Sequence, residues 1–142
     1  MLQNTPTTIA TIEPQLYLDD ARAAVDYYVE ALAATVLHRI GGTDEEPSIV
    51  AQLEVSGARF WVSDASVEDR RPGPRDGGAT ARLLLVTSAP GAVVERAVVA
   101  GAVLDSSVGD EHGWCLGRIT DPFGQPWEIG HPLGAWPPGT GD

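Results

Sequence analysis

One order of segments, a strand, a helix and then three strands, can be read twice along this chain, on either side of a stretch that suits neither helix nor sheet. In the first half Pro14, Leu16 and Leu18 alternate with Glu13, Gln15 and Tyr17, the two-residue period of a strand over Ile12 to Leu18. Asp19 or Asp20 then offers an N-cap, and Ala21, Val25, Tyr28, Val29 and Leu32 recur at helical spacing, which predicts a helix over Ala21 to Ala33. Strands follow at Val36 to Ile40, Ser48 to Val55 and Arg59 to Ser63, separated by the breaks Gly41-Gly42 and Ser56-Gly57. The second half repeats the order: a strand at Ala81 to Val86, then Ser88 as cap with Pro90 in the first turn of a helix that runs through Ala100 and stops at Gly101. Strands at Val103 to Val108, Trp114 to Thr120 and Gln125 to His131 complete it. Between the halves, Val67 to Thr80 holds Arg70, Arg71, Pro72, Gly73, Pro74, Asp76, Gly77 and Gly78, the composition of a linker.

A four-stranded half with one helix can cover only one face of its sheet, so the other face is left to curl toward a twin. The expectation is an α+β fold of two βαβββ modules whose curved sheets surround a cleft, with the helices outside. The boundaries read as one domain over 1–142, with module one at 10–64, the linker at 65–80, module two at 81–133 and a tail at 134–142. The halves also echo each other in letters: Leu16 and Leu18 stand in the first strand as Leu83 and Leu85 stand in the fifth, and Ala24-Val25 stand in the first helix as Ala92-Val93 stand in the second.

Charge narrows the partners. Twenty acidic against nine basic residues leave a net charge of −11, which repels phosphate backbones and removes the counterion release that drives nucleic-acid binding. The same surface attracts cationic small molecules over a Debye length. No segment approaches the apolar run of a membrane span, and Met1 to Thr11 carries neither the basic residue nor the apolar stretch of a secretory signal, so a cytoplasmic location is expected. A single cysteine, Cys115, can form no internal disulfide and no thiolate cluster, and is expected as a small buried side chain.

The segment Ile119-Thr120-Asp121-Pro122-Phe123-Gly124-Gln125-Pro126-Trp127-Glu128-Ile129 forms a turn in which Asp caps, Pro presets φ and Gly accepts the chain reversal. With Glu13-Pro14-Gln15-Leu16-Tyr17-Leu18-Asp19-Asp20, the helix containing Val25-Asp26-Tyr27-Tyr28 and the duplicated order, it resembles the vicinal oxygen chelate proteins over about residues 10 to 133. These are the glyoxalase, bleomycin-resistance and dioxygenase families, and the turn is most similar to that of the PhnB-like branch. In metal-dependent members, four ligands come from the first and last strands of the two modules. Carried over by resemblance, these positions fall on Glu13, on or beside Trp61, on Arg82 and on Glu128. Trp61 cannot ligate and Arg82 has no lone pair to give, so the resemblance implies a lost metal site and no cofactor, with a divalent metal as the alternative.

If Glu13, Arg82 and Glu128 converge, the guanidinium would stand where the ion stands in those relatives; otherwise Arg82 is an ordinary strand arginine reaching solvent. Glu128 and Glu13 are the candidate catalytic residues, as general bases, and pairing with Arg82 is the competing role for Glu128. Gln15, Tyr17, Trp61, Arg82 and Trp114 are the candidate ligand-binding residues, the aromatics as stacking surfaces for an aromatic or cationic compound. Phe123 and Trp127 are expected in the core, and His38, His112 and His131 outside any metal site. The resemblance thus implies a metal-independent small-molecule binding protein that sequesters its ligand as a homodimer, and, alternatively, a glyoxalase-like lyase or isomerase or a dioxygenase-like enzyme.

Overall fold

The computed structural model describes residues 10–136. Module one consists of β1 (Gln15–Leu18), α1 (Ala21–Leu32), β2 (Thr35–Gly41), β3 (Ile49–Val55) and β4 (Ala58–Asp64). After the one-turn helix α2 (Pro74–Gly77) come β5 (Leu83–Val86), α3 (Pro90–Val99), β6 (Val103–Glu111), β7 (Trp114–Thr120) and β8 (Pro126–Pro132). The two sheets share one topology, β1-β4-β3-β2 and β5-β8-β7-β6, with β1 parallel to β4, β5 parallel to β8 and all other pairs antiparallel. This is the expected α+β architecture of two βαβββ modules.

Strand alternation decides which face each helix covers. Leu16, Leu18, Ala51, Leu53, Phe60 and Val62 are buried against Ala24, Val25, Tyr28, Ala31 and Leu32 of α1, whereas Gln15, Tyr17, Gln52 and Trp61 take the opposite, helix-free face. In the second sheet Ile119, Trp127 and Ile129 are buried on the α3 side, and Leu84, Val86, Arg118 and Glu128 take the helix-free face. The modules meet through their helices and one turn: the Tyr27 hydroxyl donates to the Ala97 carbonyl at 2.9 Å, Arg96 Nε donates to the Glu30 carbonyl at 2.6 Å, and α1 and α3 are in contact. The Asp121 to Gly124 turn closes this junction. Phe123 lies edge-on to Tyr27 with centroids 5.9 Å apart, and Trp127 packs edge-on to Phe60 at the same spacing; Trp127 is buried in the core as expected, and Phe123 packs against it half-buried.

Several local expectations shift. Asp20 caps α1 through Ala23 N–H at 3.2 Å, but the cap residue of α3 is Ala89, not Ser88; Thr87 Oγ1 takes the Ala89 N–H at 3.2 Å, and Pro90 holds the first turn. β1 begins only at Gln15: Ile12 is fully exposed, and Pro14, lacking an N–H, joins the sheet by its carbonyl alone, which accepts from Trp61 N at 2.8 Å. β6 runs three residues beyond the expected Val108, to Glu111, along a bulged ladder. The linker is not featureless. Ser66 and Arg71 form an isolated bridge, and Asp76 Oδ2 accepts the Gly73 N–H at 2.9 Å to nucleate α2. Cys115 is half-buried, not fully buried. No helix among the described residues is long and apolar enough to cross a membrane.

Candidate functional site

The repeat fixes which side chains correspond between modules. Gln15 precedes Leu16 as Arg82 precedes Leu83, and Ser63 faces Tyr17 across the β1/β4 ladder as Glu128 faces Leu84 across β5/β8. The pairs bond alike: Gln15 Nε2 donates to Ser63 Oγ at 3.2 Å, and Arg82 Nη1 donates to Glu128 Oε2 at 3.3 Å. The module-one counterparts of Arg82 and Glu128 are therefore Gln15 and Ser63, each two residues beyond the Glu13 and Trp61 of the sequence-based expectation. The slip of two keeps the same face of the strand, which is why alternation alone did not reveal it.

Glu13 and Trp61 instead bond to each other. Trp61 Nε1 donates to Glu13 Oε1 at 2.9 Å, Gln52 Nε2 donates to the same oxygen at 2.8 Å, and Thr11 Oγ1 donates to Oε2 at 3.0 Å. The Gln52 hydrogen bond, followed by those of Trp61 and Thr11 and the charge of Arg59, holds the Glu13 carboxyl below its ordinary range against a weaker opposing effect of desolvation. Tyr17 lies half-buried nearby, with the Arg71 guanidinium 6.0 Å from its ring centroid.

On the second sheet the site is ionic. Glu128 Oε2 accepts from Arg118 Nε at 2.9 Å as well as from Arg82, and Arg118 Nη2 reaches Glu111 at 2.8 Å. Glu111 is held below the ordinary carboxylate range chiefly by that Arg118 hydrogen bond, and Arg118 is raised by it in turn. Arg118, Glu111, Gln52 and Ser63 were not singled out by sequence reasoning. Arg118 and Ser63 were within reach of it, since strand alternation puts Arg118 on the face of Leu116 and Trp114, and the repeat pairs Ser63 with Glu128.

Glu13, Arg82 and Glu128 do not form one network: Glu128 has two guanidiniums, while Glu13 is held by neutral donors of its own sheet. Trp114 lies on the face of Arg118, half-buried, with Trp136 of the tail edge-on at 5.2 Å. Among the described residues no three of His, Cys, Asp and Glu gather as a metal site. The corresponding positions offer an amide, a hydroxyl and one carboxylate already occupied by two guanidiniums, a set that does not fit a divalent cation. His38 and His112 are exposed, and His131 Nδ1 lies 2.8 Å from the carbonyl of its own neighbour Pro132.

Both helix-free faces are open. Val50 on the first sheet is 36% exposed, and Leu84 and Val86 on the second are 46% and 58% exposed. Two grooves of about 740 and 670 Å³ lie between the modules and reach Leu84 and Val86 at the edge of the second sheet, and Tyr17, Trp61 and Trp114 line neither.

The family model for the glyoxalase-like domain matches residues 15–130. An uncharacterized protein of Mycobacterium tuberculosis is 32% identical over 127 residues, covering 86% of this chain and 74% of that protein. Among solved structures, TioX from a Micromonospora superposes with a TM-score of 0.69 at 21% identity, over 88% of this chain and 100% of that one. TnmS3, an antibiotic-binding protein from a Streptomyces, superposes with a TM-score of 0.66 at 19% identity, over 89% and 99%. At these identities the two structures are similar in fold.

Proposed function

The chain belongs to the glyoxalase-like domain family of the vicinal oxygen chelate superfamily, and on that premise we propose that it is a metal-independent small-molecule binding protein that sequesters an aromatic or cationic compound as a homodimer. The observation that carries this reading is the occupation of Glu128 Oε2 by both Arg82 and Arg118 at positions where metal-dependent relatives would hold an ion. Two guanidiniums already neutralise the carboxylate, and a third cation there would have to displace them. The antibiotic-binding role of TnmS3 is that protein's own; its likeness in fold makes ligand capture a natural use of this scaffold.

The aromatic side chains supply the binding surface. Tyr17 and Trp61 present half-buried rings on the helix-free face of the first sheet and Trp114 on that of the second, so flat ligands can stack. These faces are open in one chain, and exposed Leu84 and Val86 are apolar area that a second copy would cover while adding the other wall of the cleft. The surplus of acidic residues favours cationic compounds at long range. Placement in the PhnB-like branch rests on the Asp121-Pro122-Phe123-Gly124 turn and belongs to the same proposal.

A second reading has one observation in its favour. Glu128 takes both hydrogen bonds on Oε2, which leaves Oε1 for a substrate proton and makes Glu128 the candidate base of a lyase or isomerase. Glu13 suits that role less, because three donors already stabilise its ionised form.

Metal content by mass spectrometry, before and after soaking in nickel, zinc and manganese, tests the main reading. Substoichiometric metal throughout is expected, and one tightly held ion per chain would replace the reading with glyoxalase or dioxygenase assays. Thermal-shift screening of aromatic and cationic compounds follows, with Trp61→Ala expected to weaken a stacking ligand about tenfold, in line with about 0.5–2 kcal/mol for loss of an aromatic or cation–π contact. Sedimentation should give about twice the 15.0 kDa chain mass.

A further inference from the structure

The two grooves between the modules share Leu32, Val55, Ala58, Leu84 and Leu85, and so form one continuous trough along the open edge of β5 from Arg82 to Ser88. Its floor is apolar, made by Phe60 and Trp127 with Leu32, Val55, Leu83 and Leu85. Its charged lining departs from the rest of the molecule. Among the described residues its lining holds three guanidiniums, Arg59 and Arg82 at one end and Arg96 at the other, and one carboxylate, Glu13, with Arg59 and Arg82 also paired to Glu54 and Glu128 outside the lining, in a chain with nine basic and twenty acidic residues. A third of the positive charge therefore borders this trough together with one-twentieth of the negative.

Among the described residues the guanidiniums at the Arg59 and Arg82 end have donors left over. Arg59 reaches Glu54 through Nε alone, at 3.3 Å, and Arg82 reaches Glu128 through Nη1 alone, at 3.3 Å; both side chains are 51% exposed. Glu13 beside them is already held by Gln52, Trp61 and Thr11. We propose that the intermodule trough is a ligand site, separate from the aromatic faces, for an elongated apolar molecule with one anionic head group, of fatty-acid or arylalkanoate type. The head group would sit between Arg59 and Arg82, where guanidinium forks match a carboxylate, and the tail would lie over Phe60, Leu83 and Leu85 toward Thr87. The charge pattern selects this occupant over a cationic amphiphile, which the trough lining would repel although the protein as a whole attracts it.

The test is calorimetric titration of the full chain with dodecanoate, dodecanol and dodecyltrimethylammonium, all below their aggregation concentrations. Saturable binding of dodecanoate, at least tenfold tighter than the alcohol and the cation, is expected. Arg59→Gln should weaken it about tenfold without a change in Tm, and Leu85→Trp, which fills the floor, should abolish it. Trp114→Ala, on the aromatic face and in neither groove, should leave it intact, which separates this site from the aromatic one. Equal binding of all three amphiphiles, or indifference to Arg59→Gln, overturns the proposal. Failure of dodecanoate to bind at all also overturns it.

Discussion

Asp121 is 3% exposed, yet it accepts four hydrogen bonds: Tyr28 Oη at 2.5 Å and Trp127 Nε1 at 3.0 Å on Oδ2, and the N–H groups of Phe123 and Gln125 at 2.9 and 3.0 Å on Oδ1. The Tyr28 bond crosses from α1 to the last hairpin and pins module one to module two. Tyr28→Phe removes it and is expected to cost about 1.5–3 kcal/mol, the range for a hydrogen bond to a charged group, read as a lower denaturation midpoint at unchanged m-value. Burial and the Asp121 charge raise the Tyr28 hydroxyl well above its ordinary range and push that of Tyr27 up to about 12. Each folded-state value lies above the unfolded one, so the unfolded chain loses these protons first. Stability should be unaffected by them below about pH 10 and fall between about pH 10 and 12. Denaturant titrations across that interval should show the loss, and Tyr27→Phe with Tyr28→Phe should flatten it. From sequence, Asp121 was legible as a turn cap only, because its partner Tyr28 lies far along the chain and helical spacing reports burial without naming the acceptor. That Gln15 and not Glu13 is the counterpart of Arg82 was hidden for the same reason: a strand's period identifies the face, and only the ladder gives the register.

At the level of elements, the period of β1, the helical spacings of α1 and the glycine, proline and serine breaks between segments located every strand and both long helices, although β2 and β6 bury no residue. Ends were less legible. The start of α3 was read at Ser88, where the hydroxyl one residue earlier, on Thr87, makes the bond, and the linker hid a turn whose only nucleus is Pro74 with Asp76. Two glycines with opposite environments offer a contrast. A Cβ on Gly91, in the first turn of α3, would meet nothing within 4 Å, so Gly91→Ala should stabilise the protein by about 0.5–1 kcal/mol through helix propensity. At Gly130, in β8, the Cβ would fall against the Cys115 carbonyl oxygen and Leu116 of β7, and Gly130→Ala should destabilise by about 1–3 kcal/mol. Thermal melts of the two variants side by side would check both signs.

For the whole molecule, the buried side chains of α1, both sheets and α3 belong to one continuous cluster that includes Tyr28, Phe60, Val94, Trp127 and Ile129. The modules should accordingly unfold together, with a calorimetric enthalpy equal to the van't Hoff value, and a two-step melt would contradict the shared core. Duplication was legible as order more than as letters, since the two halves keep their apolar periods while the polar positions have diverged: Gln15 with Ser63 in one, Arg82 with Glu128 in the other. That divergence is also why the candidate site was only partly readable. Among the described residues no strand ladder passes from one sheet to the other, and the covalent bridge between them is the exposed stretch around Glu68 and Asp69. Backbone continuity there is thus a convenience of synthesis more than a condition of the fold. A chain nicked at this loop by limited proteolysis should stay joined through Tyr28 and Asp121, and the two halves, expressed as separate polypeptides, should find each other and reassemble.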